Sequence, residues 1–252
     1  MELSGKIAII TGGGRGIGRG IADRFLQEGA SVAVVQRSDL DPELRGHPRA
    51  FGVRADLSDA SAFPSVVERV ASRFGGIDIV VNNAGLMFER SLEDVTEADW
   101  DRMISVNLQA PLFLCKAVLP HFRVRGGGSI VNIGSIEGIG SNPQHTLYST
   151  TKAGLHGMTR ALAVDLGPEA IRCNAIAPGW ISTDLSEAYL ESMPDPVSAR
   201  QDLASIHPLR KVGQSTDVGS LAVFLASDRA QFITGQVFVV DGGRLAQLSL
   251  PR

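Results

Sequence analysis

Seven short runs rich in valine and isoleucine recur along this chain: 6–10 (KIAII), 31–35 (SVAVV), 50–55 (AFGVRA), 77–81 (IDIVV), 129–134 (SIVNIG), 171–177 (IRCNAIA) and 236–241 (QVFVVD). Runs this apolar suit strands buried on both faces, as in a parallel sheet sandwiched between helices. Helical periodicity fills the gaps at about 16–29, 59–74, 99–124, 148–166 and 215–227, several segments beginning at Asp, Ser or Thr. The alternation predicts an α/β fold: one Rossmann-type, doubly wound, parallel seven-stranded sheet with helices on both faces. No repeat or linker divides the 252 residues, so a single domain is expected. Two segments break the pattern. Residues 38–49 carry two prolines, which argues against a full helix there, and 184–208 forms a long insertion beyond the end of a strand, placed to act as a lid.

Composition removes several function classes. A formal charge of −3 with no basic face speaks against nucleic acid. No run approaches the roughly 18 consecutive apolar residues of a membrane span, and residues 1–10 lack a secretory pattern. A cytoplasmic protein is expected. Cys115 and Cys173 have neither disulfide nor metal-ligand spacing and read as buried thiols, so no metal is expected.

The first candidate strand runs directly into TGGGRGIG (11–18) and then a helix. Glycines allow close backbone approach, and a helix N-terminus offers unpaired N–H groups to a phosphate. The spacing is Gly12-x3-Gly16-x-Gly18 rather than the strict dinucleotide fingerprint. At the tip of the second strand an Asp or Glu would hold a ribose 2′-hydroxyl, whereas an arginine suits a 2′-phosphate. Here the tip reads Gln36-Arg37, and Arg15 lies inside the glycine turn; both features favour NADP over NAD. Two solvated surface arginines would give the same sequence, and Asp39 is the alternative acid.

Among two tyrosines and four lysines, Tyr148 and Lys152 stand four residues apart in a helical segment, on one face about a turn from each other. An ammonium beside a phenol favours phenolate. Lowering a phenol from about 10 to about 7 takes about 4 kcal/mol. One cation about 4 to 5 Å away, at an effective dielectric of about 20, supplies about 3 to 4 kcal/mol.

With these pieces the chain resembles the short-chain dehydrogenase/reductase family from Lys6 to about Gly243. The resemblance rests on TGGGRGIG, Asp56-Leu57, NNAG (82–85), Asn107, Ser135, YSTTK (148–152), PGWIST (178–183) and VDGG (240–243), in that order. It implies an NAD(P)-dependent oxidoreductase that interconverts a secondary alcohol and a carbonyl compound. Tyr148 would be the acid/base, Ser135 would hydrogen-bond the substrate oxygen, Lys152 would lower the phenol and hold the nicotinamide ribose, and Asn107 would anchor a relay water. Gly12, Gly14, Arg15, Gly16, Ile17, Gly18, Gln36 and Arg37 would hold phosphates and ribose. Asp56 and Leu57 would face the adenine, and Asn83, Ala84 and Gly85 would line the adenosine ribose. Pro178, Gly179, Ile181 and Thr183 would lie along the nicotinamide.

The pocket rim would comprise Glu137, Gly138, Asn142, His145, Trp180 and the lid from Leu185 to about Met193. These hydrogen-bonding groups point to a sugar, polyol or other small hydroxylated substrate. The alternatives are a 3-oxoacyl-[acyl-carrier-protein] reductase, with Arg123 and Arg125 as part of a cationic collar, and a non-catalytic cofactor-binding regulator. Family resemblance also implies a homotetramer pairing the long helices, with the apolar tail 244–252 at a subunit boundary.

Overall fold

The computed structural model describes residues 1–248. Strands β1 (Ile7–Thr11), β2 (Ser31–Gln36) and β3 (Ala50–Arg54) alternate with helices α1 (Gly16–Gln27), the short α2 (Pro42–Gly46) and α3 (Phe63–Phe74). Strand β4 (Ile79–Asn82) leads to α4 (Glu97–Ile104) and α5 (Ala110–Arg125), and β5 (Gly128–Ile133) leads to α6 (Thr146–Leu166). After β6 (Ile171–Pro178) come β7 (Ile181–Ser182), α7 (Asp184–Glu191), α8 (Pro196–Ser205), β8 (Gly213–Gln214), α9 (Ser215–Ala226) and β9 (Val237–Val240). The main sheet has the order β3-β2-β1-β4-β5-β6-β9, and every pairing is parallel. The seven expected strands are the seven of the main sheet, and β7 and β8, not expected from the sequence, form a separate two-stranded pair.

Period-two alternation sends neighbouring side chains to opposite layers. Ile10, Val34, Val81 and Val131 pack with Ile21 and Phe25 of α1 and with Val218, Ala222 and Leu225 of α9. Ile9, Val35, Val80 and Ile130 pack with Val66 and Val70 of α3 and with Leu114, Val118 and Phe122 of α5. Each large side chain fully buried in this way contributes about 1.5–3 kcal/mol. The edge strands depart from the expectation of burial on both faces. Strand β9 is only half-buried, with Val239 exposed, because it has a single neighbour in the sheet.

Residues 38–49 hold no full helix, in line with their two prolines. Pro42 opens the five-residue α2, and the Asp41 carboxylate accepts hydrogen bonds from Glu43 N and Leu44 N. The insertion is helical rather than irregular: Thr183 caps α7, Asp195 caps α8, and Arg200 pairs with Glu187 and Glu191 to tie the two together. The segment expected as one helix at 99–124 runs from Glu97 to Arg125 and is interrupted by a π turn at Ser105–Gln109. By length and composition alone this helix is apolar enough to cross a membrane. Its apolar residues instead divide between the core, through Leu114, Val118 and Phe122, and an outer face bearing Leu112 and Phe113. Cys115 and Cys173 are buried free thiols. The expected tail contact falls partly on residues 249–252, outside the described residues; within them Leu245 and Leu248 are exposed.

Candidate active site

Two loops at the carboxyl end of the sheet are joined by Thr11. Its hydroxyl accepts hydrogen bonds from Asn83 N and Ala84 N, both 3.0 Å, while the Asn83 amide donates to Thr11 O at 2.9 Å and Gly12 O at 3.2 Å. Thr11 was not among the residues singled out from the sequence, although it opens the glycine turn. Gly12 and Gly16 take positive φ (63° and 55°), which favours glycine. Gly18 lies so close to the Gly12 carbonyl that a Cβ would collide with it. The resulting turn delivers the N-terminus of α1 without a side-chain cap or an acidic residue in the first turn. Its free N–H groups suit a diphosphate, so the residues present fit a dinucleotide.

The Gln36 side chain folds back onto the glycine turn. Its Oε1 accepts from Gly14 N at 2.9 Å, and its Nε2 donates to Ser38 O and Asp39 O. Arg15 and Arg37 flank this contact, are exposed, and form no ion pair among the described residues. Arg19, one turn further, is by contrast consumed by Asp23, Asp41 and Glu43. Asp39 lies at the edge of salt-bridge range of Arg54. Asp56 is exposed, and hydrogen bonds from Ser58 hold its carboxyl below the usual range; Leu57 is buried beneath it.

Beyond the carboxyl ends of β4 and β5 lie Tyr148, Ser135, Lys152 and Asn107, the last two both beside Gly85. Ser135 stands two residues past the end of β5 and caps the 3-10 turn Ile136–Gly138, its hydroxyl accepting from Glu137 N at 3.1 Å and facing the Tyr148 phenol. Lys152, buried one turn below Tyr148, donates to Ile133 O at 2.9 Å and stands 5.5 Å from the phenol ring centroid. Gly85 leaves room for both Lys152 Nζ and Asn107 Oδ1. The π turn points Asn107 inward, where its Oδ1 accepts from Leu86 N and its Nδ2 donates to Leu86 O and Thr151 Oγ1. Both ends of the amide are thus engaged with protein, and the side chain braces the segment after β4 against α6.

The expected acidic phenol is not what this geometry produces. Burial pushes Tyr148 up to about 12, and the charge of Glu137 acts in the same sense. Burial also takes Lys152 down to about 8, which weakens the very cation that was to stabilise phenolate. Desolvation of both groups outweighs the Coulomb attraction between them.

The rim residues Glu137, Asn142 and His145 form one cluster. Glu137 accepts from Asn142 Nδ2 at 3.0 Å and shares a 2.6 Å hydrogen bond with His145 Nδ1. His145, only 7% exposed, is not a solvated loop residue; it packs edge-on against the Tyr148 ring, and its other nitrogen faces Glu89 at 3.5 Å. Trp180 packs near Tyr189 of α7, their ring centroids 5.8 Å apart, with its indole N–H buried and unpartnered among the described residues. Thr183 lies over Gly16, which brings the start of the lid onto the glycine turn. Ile181 is buried beneath, and Gly179 packs against Asp241 just after Pro178. His156, unnoticed in the sequence, fills the space left by Gly134 and Gly138 on either side of Ser135.

Known proteins resemble this chain over nearly its whole length. A family model described as enoyl-(acyl carrier protein) reductase matches residues 12–244. The chain is 38% identical over 249 residues to the 3-oxoacyl-[acyl-carrier-protein] reductase FabG of Thermotoga maritima, covering 96% of this chain and 99% of that one. Its structure is similar to ligand-free aldohexose dehydrogenase of Thermoplasma acidophilum, with a TM-score of 0.91, 31% identity, and coverage of 99% and 98% of the two chains. It is also similar to ElxO with NADP bound, with a TM-score of 0.89, 32% identity, and coverage of 96% and 99%.

Proposed function

The chain belongs to the short-chain dehydrogenase/reductase family, and from that premise we propose that it interconverts a secondary alcohol and a carbonyl compound with a nicotinamide dinucleotide. One observation carries this reading. Tyr148, Ser135 and Lys152 meet past the carboxyl end of β5, and residues 83–86, bonded to Thr11 on one side and to Asn107 on the other, link them to an uncapped helix N-terminus behind a glycine turn. A bound nicotinamide supplies the hydride chemistry. Tyr148 gives its hydroxyl proton to the substrate oxygen or takes one from it, and Ser135 hydrogen-bonds that oxygen as charge develops on it. Lys152 fixes the β5 end against α6, and Asn107 holds the neighbouring segment in register. The same side chains argue against a non-catalytic regulator, since none of them has been lost.

Arg15 and Arg37, without an ion-pair partner among the described residues and beside a Gln36 that brings no negative charge, favour NADP, in keeping with the NADP bound to ElxO. Glu137, Asn142 and His145 support a small hydroxylated substrate such as a sugar or polyol, the class to which the substrate of the aldohexose dehydrogenase belongs. The likeness to FabG favours a second reading, an acyl-carrier-protein substrate. Against it, Arg123 is spent on Glu169 and Arg125 on Asp78, which leaves a poor cationic collar. Leu112 and Phe113 on α5 and Val164 on α6 are exposed apolar groups that suit pairing between copies, so we read a homotetramer in the cytoplasm. A panel of hydroxylated compounds and 3-oxoacyl thioesters, assayed with NAD(H) and NADP(H) side by side, tests this function. Turnover of none of them would overturn it.

A further inference from the structure

Helix α6 meets the segment that carries Ser135 through one face. Tyr148 lies opposite the Ser135 hydroxyl, Lys152 donates to Ile133 O one turn on, and His156 follows after a further turn. The His156 ring is 3% exposed and fills the slot between Gly134 and Gly138. A Cβ on Gly138 would come within 2.5 Å of its Cε1, and one on Gly134 would collide with its Nε2. Neither glycine takes a positive φ, so the backbone does not require glycine at either position; the ring does. Between these two contacts the chain forms a short arch. Gly134 N donates to Ile176 O at 2.7 Å, Gly138 N to Ser135 O at 2.9 Å, and Glu137 N to the Ser135 hydroxyl. His156 Nε2 is buried without a hydrogen-bond partner among the described residues, a cost that an apolar side chain would not carry. What the imidazole offers in return is flatness, since a branched aliphatic side chain needs a wider slot.

We infer that His156 is a positioning residue for Ser135: by filling the slot between Gly134 and Gly138, its ring fixes the arch in which the Ser135 hydroxyl stands opposite the Tyr148 phenol. The role of Ser135 itself rests on the alcohol–carbonyl reading given above. His156 acts by shape. The one charged side chain within the arch, Glu137, turns its carboxylate to Asn142 and His145. Without the ring both ends of the arch lose their backing, and Ser135 shifts against the phenol. A shift of about 1 Å in a group that must hydrogen-bond a reacting oxygen lowers turnover by up to about 100-fold. The glycine turn is anchored separately, through Thr11, Asn83 and Ala84, so dinucleotide affinity does not depend on this ring.

Hydrogen exchange of the free protein tests the arch without any substrate. In His156→Ala the amides of 134–140 should exchange about tenfold faster than in the parent, while those of 82–86, held by Thr11 and Asn107, should keep the parent rate. His156→Leu, which retains bulk but not flatness, should show the same pattern and serves if the Ala variant does not fold. Given substrate, either variant should lower kcat about 10- to 100-fold and leave dinucleotide affinity, measured by calorimetry, unchanged. In a Ser135→Ala background the same substitution should change kcat by less than about twofold, because the group it positions is already gone. An equal loss of kcat in both backgrounds would overturn the inference, as would faster exchange spread evenly over both segments or parent rates throughout 134–140. A parent that turns over no alcohol or carbonyl compound would instead sink the activity, and the exchange pattern alone would then decide whether the ring holds the arch.

Discussion

Lys152 donates its ammonium to the carbonyl of Ile133, the last residue of β5, across 2.9 Å and directly beneath Tyr148. This bond fixes the helix bearing Tyr148 to the strand end bearing Ser135. It also keeps a charge in a buried place, where burial lowers Lys152 from 10.5 to about 8.

Lys152 therefore has a signature in the pH dependence of stability. Below about 8 both folded and unfolded chains carry its proton, and the fold bears the full cost of the buried charge. Between about 8 and 10.5 the unfolded chain binds more protons, so stability rises with pH. Tyr148, raised from 10.0 to about 12, acts in the opposite sense only above pH 10. Lys152→Met should lose turnover by about 100-fold or more. It should also lose the rise in melting temperature between pH 8 and 10; a variant that keeps the rise would show that Lys152 is not its source.

His156 should make the fold sensitive to acid. Burial first, then the charges of Lys152 and Arg160, lower it from 6.5 to about 4. As pH falls through that window the unfolded chain takes up a proton that the folded chain refuses, so stability falls. Urea midpoints at pH 7 and pH 5 should diverge in the parent and converge in His156→Asn.

The fit of that ring against two glycines gives an independent check. A Cβ at Gly134 or Gly138 would overlap the His156 imidazole. Gly134→Ala and Gly138→Ala should each cost about 1–3 kcal/mol, and His156→Ala should relieve part of either cost. Additive costs in urea titrations of the double variants would mean that the ring is not the obstacle.

Thr11→Val keeps the shape and removes the acceptor of Asn83 N and Ala84 N. Each N–H left buried without a partner costs about 1–3 kcal/mol. Both stability and dinucleotide affinity should drop, the latter measured by calorimetry. Unchanged affinity would show that the two loops hold their spacing without this bond.

Cofactor choice is tested at Arg37 and Gln36. Arg37→Ala should weaken NADPH by about 10- to 100-fold, the weight of one charge-assisted contact, and leave NADH nearly unchanged. Gln36→Asp should move the preference toward NADH. Equal losses for both dinucleotides would place Arg37 outside the 2′-phosphate subsite.

How much of this was legible beforehand depends on how local each signal is. Strand alternation and the glycine turn are local, and the seven-stranded sheet followed from them. The i,i+4 spacing of Tyr148 and Lys152 placed them together for the same reason. The π turn at Asn107 left no sign in the periodicity, because one extra residue is absorbed within a continuous helix. The short α2 was hidden behind its prolines, yet Pro42 after Asp41 is a helix-opening pair.

The amino-acid order thus determined the alternating layers, the glycine turn and the pairing of Tyr148 with Lys152, since each follows from periodicity or from spacing within one element, whereas Ser135 and Asn107 were reached only through the family resemblance. Tertiary structure alone decided their electrostatics. The carboxylate of Glu137 reaches Tyr148's surroundings through His145, and the His156 ring meets the glycines flanking Ser135, only once β5 and α6 are packed together. Desolvation belongs to that packed assembly rather than to any residue, so the rise of the phenol against its lysine neighbour becomes visible only in the folded chain.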